Sequence, residues 1–274
     1  DICVVGGSCT GVFAAVRAAR LGARVALVEL QNRFGGVATL GLVGMWHHVY
    51  DIDFAEQVIG GLTVEMMERL ARRGAASDFR SRESMRGVRI NPEELTLELD
   101  ALVAEHRIVP LLCTRFCRAV KSDEGTIEAV LVENKSGRGA IRAKVFVDAS
   151  GDGDLAASAG LAMRLPARRQ PPTACARLEG WRTIGKTDLY DLIRKRRDRH
   201  PDLPGGYHWG CYLPGSDIYM LAGTRLLNAD LLSAEGLTRA EMASRRQIRA
   251  LLDLIREEIP AAKVTLVALP AAIG

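Results

Sequence analysis

The first chemistry that the sequence suggests is phosphate binding between Gly6 and Gly11. A phosphate needs backbone N–H donors and a field that favours negative charge, and the turn from a strand into a helix N-terminus supplies both. Ser8 stands where the dinucleotide pattern G-x-G-x-x-G has its second glycine. Glu29 follows at about the 20-residue distance at which a carboxylate accepts hydrogen bonds from ribose hydroxyls. The combination predicts an adenosine-containing ligand, and at this point FAD, NAD and S-adenosylmethionine remain open. Glycines that serve only the turn are the competing interpretation.

Trp46, His47 and His48 are the leading candidates for substrate contacts and proton transfer. They follow the glycine-rich segment 35–44. A histidine that titrates near neutral pH can move a proton alongside hydride transfer. The competing interpretation is that these side chains only pack or cap.

A second aromatic run, at Tyr207, His208 and Trp209, is a candidate lining for a substrate pocket. Glycines flank the run on both sides. A purely structural loop explains it equally well.

Cys9 lies inside the phosphate turn. A helix N-terminus lowers the pKa of a thiol, so a redox role for Cys9 competes with plain packing. The six cysteines include no CxxC pair and no spacing suited to zinc, which predicts reduced thiols and no metal site. Cys113 and Cys117 fall in one predicted strand, too far apart for a disulfide.

The elements that must position these residues begin with a strand–helix–strand unit. Residues 2–5 predict a buried strand, 12–21 a helix that ends at Gly22, and 24–29 a second strand. Further helices are predicted at 54–73 and 93–106, and strands at 108–121, 126–134 and 139–147. The last three strands predict an antiparallel meander that leads into the loop DASGDGD. A strand at 218–222 and an amphipathic helix at 238–258 follow later.

Three segments together resemble the FAD-dependent oxidoreductases with a Rossmann domain of the glutathione-reductase type. They are the opening residues, FGGVATLGLVG, and VFVDASGDGDLAASAG. More narrowly, the chain is similar to a bacterial branch of that family whose members are poorly characterised. The implied fold class is α/β, with a parallel sheet and an antiparallel β-meander in the FAD-binding domain and a second α+β substrate domain. The implied cofactor is FAD.

The resemblance also implies roles for individual residues. The pyrophosphate would contact Gly6, Gly7, Ser8, Cys9, Thr10 and Gly11. The adenosine ribose would contact Glu29, with Leu30 and Gln31 beside it. The ribityl chain and flavin would approach Gly35, Gly36, Val37, Ala38 and Thr39. Adenine would meet Phe116 or the backbone beside it. The second cofactor loop would comprise Ala149, Ser150, Gly151 and Asp152, where Ser150 replaces the usual threonine and keeps its hydroxyl.

Two domains are expected, a FAD-binding domain at 1–163 with a helical segment at about 45–90, and a substrate or cap domain at 164–274. The proline- and arginine-rich segment 166–172 marks the predicted boundary. Family members usually continue past a segment like ALPAAIG into a third cofactor motif, so the second domain is expected to be truncated.

The predicted function is FAD-dependent oxidation or reduction of a small organic substrate, with electrons passed to an unidentified acceptor. The alternative is a binding module that has lost cofactor and catalysis, and a methyltransferase is a third option. The net charge of +4 comes from dispersed arginines, which does not favour a nucleic-acid partner. No apolar run predicts a membrane span, and a cytoplasmic location is expected, although the start at Asp1 leaves an export signal open. A homo-oligomer is one option for assembly.

Overall fold

The computed structural model of the protein describes residues 1–81, 87–165, 169–203 and 208–274. Residues 166–168 of the predicted boundary segment and Tyr207 of the aromatic run lie outside these residues. Each described helix is too short or too polar to span a lipid bilayer.

The chain divides into two compact units. The first comprises Asp1–Thr39, Val58–Leu70 and Glu93–Pro166, and the second comprises Leu40–Gln57, Ala71–Pro92 and Ala167–Gly274. Residues 40–57 and 71–92 thus group with the later part of the chain. The domain boundary after residue 163 stays a prediction.

The described helices and strands have the following bounds. The helices are α1 (Cys9–Arg20), α2 (Leu62–Arg72), α3 (Pro92–Glu105), α4 (Asp154–Ser158), α5 (Leu189–Arg196) and α6 (Ala234–Glu258). The strands are β1 (Ile2–Val5), β2 (Val25–Val28), β3 (Met45–Trp46), β4 (Val88–Arg89), β5 (Val109–Leu111), β6 (Arg115–Lys121), β7 (Ile127–Asn134), β8 (Gly137–Arg142), β9 (Val145–Asp148), β10 (Ala176–Glu179), β11 (Trp209–Tyr212), β12 (Tyr219–Ala222) and β13 (Thr265–Ala268).

A parallel four-stranded sheet, in the order β5-β2-β1-β9, is the centre of the first unit. The apolar run of β1 suits burial on both faces, since Cys3 and Val4 are fully buried. β6, β7 and β8 form a separate antiparallel meander. Buried Val130 of the meander belongs to the same apolar cluster as Cys3 and Leu155. The predicted α/β class, with its parallel sheet and meander, is confirmed.

The second unit contains an antiparallel sheet in the order β11-β12-β10-β13. Leu178 and Leu221 of this sheet share an apolar core with Leu251 and Ile255 of α6. α6 begins at Ala234, four residues before the predicted start at 238, because the Ser233 hydroxyl caps it and accepts a 3.1 Å hydrogen bond from Gly236 N–H.

The helix predicted at 54–73 is shorter in the structure, where α2 begins at Leu62. Two adjacent glycines, Gly60 and Gly61, lie inside the predicted helix and disfavour a helical interior. Upstream of them, Phe54 has a φ of 57°. That conformation does not continue a right-handed helix.

The single strand predicted at 108–121 is also wrong, because β5 and β6 are separate strands in different sheets. Cys113 interrupts them with a φ of 50° and donates its N–H to the Gln31 carbonyl at 2.9 Å. Cys113 and Cys117 therefore do not share a strand. The strand predicted at 139–147 is likewise divided, between β8 and β9.

A partly buried ion-pair cluster joins α2 to α3 in the first unit. Arg69 Nε donates to Glu98 Oε2 at 2.8 Å, and its two terminal nitrogens donate to the Glu105 carboxylate. The Arg69 and Glu98 side chains are only 15% and 9% exposed. The hydrogen bond from Arg69 holds the pKa of Glu105 below its usual range.

We predict that Arg69→Met lowers the free energy of unfolding by about 2 kcal/mol, because it removes the charge that compensates the buried Glu98. Chemical denaturation measures the change. Arg138→Met is the control, since Arg138 pairs with Glu133 at the surface and its loss costs less than about 0.5 kcal/mol.

The same cluster makes stability depend on pH. A depressed carboxylate pKa adds stability above its unfolded value of about 4.3, and this is lost as the pH falls through the folded pKa. Wild-type protein should therefore lose more stability on acidification than Arg69→Met. Two results would contradict a stabilising role for Arg69: equal loss of stability on acidification in the wild type and in Arg69→Met, or an equal decrease in the free energy of unfolding for Arg69→Met and Arg138→Met.

Candidate functional site

The turn between β1 and α1 depends on two glycines. Gly6 has a φ of 103°, and a Cβ at this position would lie 2.1 Å from the Ala149 carbonyl oxygen. A Cβ on Gly11 would lie 1.8 Å from the Gly6 carbonyl oxygen. Both obstacles are backbone atoms that a side chain cannot displace. The turn, the first turn of α1 and the chain after β9 can therefore pack this closely only with glycine at both positions.

The N-terminus of α1 carries no acidic side chain in its first turn. Ser8 is the N-cap, and its hydroxyl accepts a 3.4 Å hydrogen bond from Gly11 N–H. The departure from glycine at this position thus has a structural use. Thr10 is exposed beside it. A helix N-terminus with a neutral cap keeps its positive partial charge for an external anion.

Glu29 lies at the end of β2 with its carboxylate turned toward the β1–α1 turn. Its Oε2 accepts a hydrogen bond from Gly7 N–H at 2.6 Å, and its Oε1 accepts one from Gln31 N–H at 2.7 Å. The residue is only 8% exposed. A carboxylate oxygen can accept two hydrogen bonds, and each Glu29 oxygen accepts one of those described above. Glu29 therefore retains acceptor capacity for hydroxyl groups while it holds the two backbone segments together.

Sequence reasoning missed Thr114, which lies in the segment between β5 and β6 and forms a hydrogen bond with the backbone of Glu29. Thr114 N–H donates to the Glu29 carbonyl at 2.9 Å, and Glu29 N–H donates to the Leu111 carbonyl at the same distance. Thr114 is buried, and its hydroxyl donates to Leu112. A lone threonine after an apolar run is too common a pattern to reveal this role. Phe116, two residues on, is partly buried against the core cluster of the first unit.

The segment from Gly35 to Thr39 is fastened to the same turn. Gly35 N–H donates to the Gly7 carbonyl at 2.8 Å, and Ser8 forms a parallel bridge with Gly35. Thr39 is buried, and its hydroxyl donates to the Phe34 carbonyl at 2.7 Å. Between these anchors, Val37 is about half exposed, at 49%. The structure thus brings two of the sequence-predicted segments together.

Asp148, which sequence reasoning also missed, organises the loop that follows β9. Its Oδ1 accepts hydrogen bonds from the backbone and hydroxyl of Ser150, and its Oδ2 accepts one from Ala156 N–H at 2.9 Å. Burial opposes ionisation of Asp148, but these hydrogen bonds outweigh it and hold the pKa below its usual range. Ser150 also accepts from Asp154 N–H. Asp152 is exposed in the same loop.

The lowering of the Cys9 pKa that the helix N-terminus predicts is wrong in direction. Burial raises the pKa of the Cys9 thiol to about 12, and the backbone hydrogen bond at the helix start opposes this only in part. The Sγ atom lies 3.6 Å from the Gly35 carbonyl oxygen, in position to donate to it. Because the thiolate is the reactive form of cysteine, this shift lowers the reactivity of Cys9. Cys9 therefore packs the turn against the 35–39 segment.

His47 and His48 belong to the second unit, whereas the residues above belong to the first. His48 Nδ1 lies 2.7 Å from the Tyr50 carbonyl oxygen, and its ring lies beside Phe54. Since a carbonyl only accepts, Nδ1 is the donor of this hydrogen bond. His47 is exposed. The hydrogen bond and the ring contact thus hold the His48 imidazole in one orientation.

His208 lines a small cavity, and the substrate pocket suggested for this aromatic run stays a prediction. The cavity has a volume of about 10 Å³ and is lined by Leu221, Gly223 and Leu251, among others. A space of this size holds about one water molecule.

The geometry of the first unit fits a dinucleotide. A glycine turn that a Cβ would fill, a helix start without acidic residues, and a buried carboxylate at the next strand meet at one edge of a parallel sheet. These features define the class of Rossmann-type dinucleotide-binding proteins.

The family model described as FAD dependent oxidoreductase matches residues 1–274, so the chain belongs to that family. FAD is the family's cofactor, as predicted from the sequence. The glutathione-reductase subtype stays a prediction. No curated protein matches the chain.

Solved structures share the fold at low sequence identity. A geranylgeranyl bacteriochlorophyll reductase-like protein from Thermoplasma acidophilum is 17% identical over 100% of this chain and 65% of its own, with a TM-score of 0.61. L-proline dehydrogenase from P. horikoshii is 14% identical over 100% of this chain and 80% of its own, with a TM-score of 0.58. Glycerol-3-phosphate dehydrogenase from Bacillus halodurans, complexed with FAD, is 13% identical over 97% of this chain and 54% of its own, with a TM-score of 0.56. The chain thus spans about two thirds of the first relative's length and about half of the third's.

We predict that iodoacetamide at about pH 8, near the ordinary thiol pKa of about 8.5, labels the exposed Cys113 and Cys117 and leaves Cys9 unmodified in the folded protein. Peptide mass spectrometry measures the labelling at each position. Denatured protein is the control, in which all three react. Labelling of Cys9 at the rate of Cys117 in the folded protein would mean that its thiolate is accessible after all.

Proposed function

We propose that this protein is a flavoenzyme that oxidises or reduces a small organic substrate, and that its electrons pass to a separate acceptor. The family supports the class of reaction. The observation that carries the cofactor site is the carboxylate of Glu29, 2.6 Å from the Gly7 nitrogen at the mouth of the β1–α1 turn. When bound, FAD supplies the hydride or electron transfer. The protein's own residues bind the cofactor and orient the substrate.

We assign the pyrophosphate to the first turn of α1, with Gly6–Gly11 around it. Backbone N–H groups and a helix N-terminus without acidic residues favour a doubly charged group there. The adenosine ribose is assigned to Glu29, whose two oxygens retain acceptor capacity beside Leu30 and Gln31.

The remaining cofactor contacts rest on the segments fastened to this turn. The ribityl chain and flavin are assigned to Gly35–Thr39, because that segment is bonded to Gly7 and leaves Val37 exposed. Adenine is assigned to the backbone beside Phe116, since the phenyl ring packs against the core. The loop Ala149–Asp152 is the second cofactor segment, held by Asp148.

Proton transfer is assigned to His48. The hydrogen bond from Nδ1 to the Tyr50 carbonyl fixes the ring, so Nε2 is the nitrogen that we assign to proton exchange. Exposed His47 is the neighbouring candidate for a substrate contact.

Glu29→Gln should weaken FAD binding about tenfold to a hundredfold, since hydrogen bonds to charged groups contribute about 1.5–3 kcal/mol. Glutamine replaces one acceptor oxygen by an NH₂ group, which would face a backbone N–H donor. Fluorescence titration of apoprotein with FAD measures the affinity. Glu133→Gln, at an exposed position in the meander, is the matched control and should bind normally.

Mass spectrometry of the denatured wild-type protein identifies the bound cofactor and any covalent link. Release of FAD supports the proposal. Protein that neither retains FAD nor takes it up on titration would favour a binding module instead.

His48→Ala should lower kcat by about 10²-fold or more, because it removes the proposed proton-transfer group. The assay follows flavin bleaching without oxygen, using a substrate found by screening. His200→Ala is the control, because His200 bonds Glu257, whose side chain is 55% exposed, and is assigned no part in the reaction. If His47→Ala and His48→Ala both retain wild-type turnover, the assignment is lost.

A further inference from the structure

An open groove of about 430 Å³ runs between α6 and β13 within the second unit. Its floor is apolar, formed by Leu252 and Leu266, which belong to or pack against the unit's core. Met242 and Leu269 extend this apolar surface to the outside and are 54% and 40% exposed. The volume lies within the range of about 300–1,000 Å³ that is typical of small-molecule sites.

Three arginines of α6 line the same groove: Arg245, Arg246 and Arg249. Arg245 pairs with Glu241 at 2.8 Å, and Arg246 lies 3.9 Å from Asp202. Arg249 pairs with no acidic side chain among the residues that the structure describes. The three residues thus carry one unit of positive charge beyond what neighbouring carboxylates compensate.

We propose that this groove binds a monomeric amphipathic organic anion. The anionic head group pairs with Arg249, and the apolar chain lies along Met242, Leu252 and Leu266. The apolar floor of the groove is complementary to the chain of such a molecule, and the arginines that line the groove are complementary to its anionic head group. The site is separate from the proposed oxidoreductase function and requires neither flavin nor turnover.

An extended peptide is a poorer occupant. β13 has four residues and its pairing with β10 is irregular, with a register shift between Arg177 and Leu178. Such irregularity at an edge strand works against the addition of another strand. The side-chain groove, rather than the strand edge, is therefore the binding surface.

Decanoate is the probe for this site, with acetate as the head group alone and decyltrimethylammonium as a chain of opposite charge. Isothermal titration of the purified protein should show one equivalent of decanoate and much weaker binding of the other two. Arg249→Glu should weaken decanoate binding about tenfold or more, because attraction becomes repulsion. Met242→Asp should weaken it similarly.

Arg239→Glu is the matched control, because Arg239 is exposed on the same helix outside the groove. It should bind decanoate like the wild type. Circular dichroism checks that each variant retains its helix content. The proposal is overturned if Arg249→Glu binds normally, if decyltrimethylammonium binds as well as decanoate, or if the protein binds only vesicles of phosphatidylglycerol.

Discussion

The hydrogen bond from the Gly7 N–H to the Glu29 carboxylate ties the end of β2 to the turn between β1 and α1. It spans two neighbouring parallel strands and sets a negative charge where the chain has just left the sheet. Burial of that carboxylate is tolerated because both oxygens accept backbone N–H groups. The segment from Gly35 to Thr39 and the chain at Thr114 are bonded to the same two strand ends. The proposed cofactor site rests on this one connection.

The N-termini of α1 and α4 both lie at this edge of the sheet. They differ in whether acidic side chains of the protein compensate the positive end of the helix dipole. α4 begins at Asp154, and Asp148 accepts the Ala156 N–H within its first turn. The positive end of α4 is therefore compensated by the chain's own carboxylates. α1 has a neutral serine cap and no acidic residue in its first turn. The positive partial charge at the N-terminus of α1 is therefore not compensated by an acidic side chain in its first turn. It can attract an anionic ligand, which is the electrostatic basis for assigning the pyrophosphate there.

Sequence patterns predicted the parts of this site that depend on local geometry. Gly6, Gly11 and Glu29 follow from a strand–helix–strand unit, because spacing alone determines where such residues lie. Asp148 and Thr114 act through hydrogen bonds that form only in the folded chain, so no pattern marked them. The pKa of Cys9 was predicted in the wrong direction because burial outweighs the helix field. The break at Cys113 needs a positive φ in a residue that rarely adopts one, which periodicity does not reveal.

The central claim is that Glu29 and the start of α1 together hold the ADP half of FAD. An experimental structure of the protein with FAD tests it most directly. The claim predicts both ribose hydroxyls within hydrogen-bond distance of the Glu29 oxygens, and the pyrophosphate against the backbone N–H groups of α1. A structure in which FAD lies elsewhere, or in which the adenosine ribose makes no contact with Glu29, would contradict it.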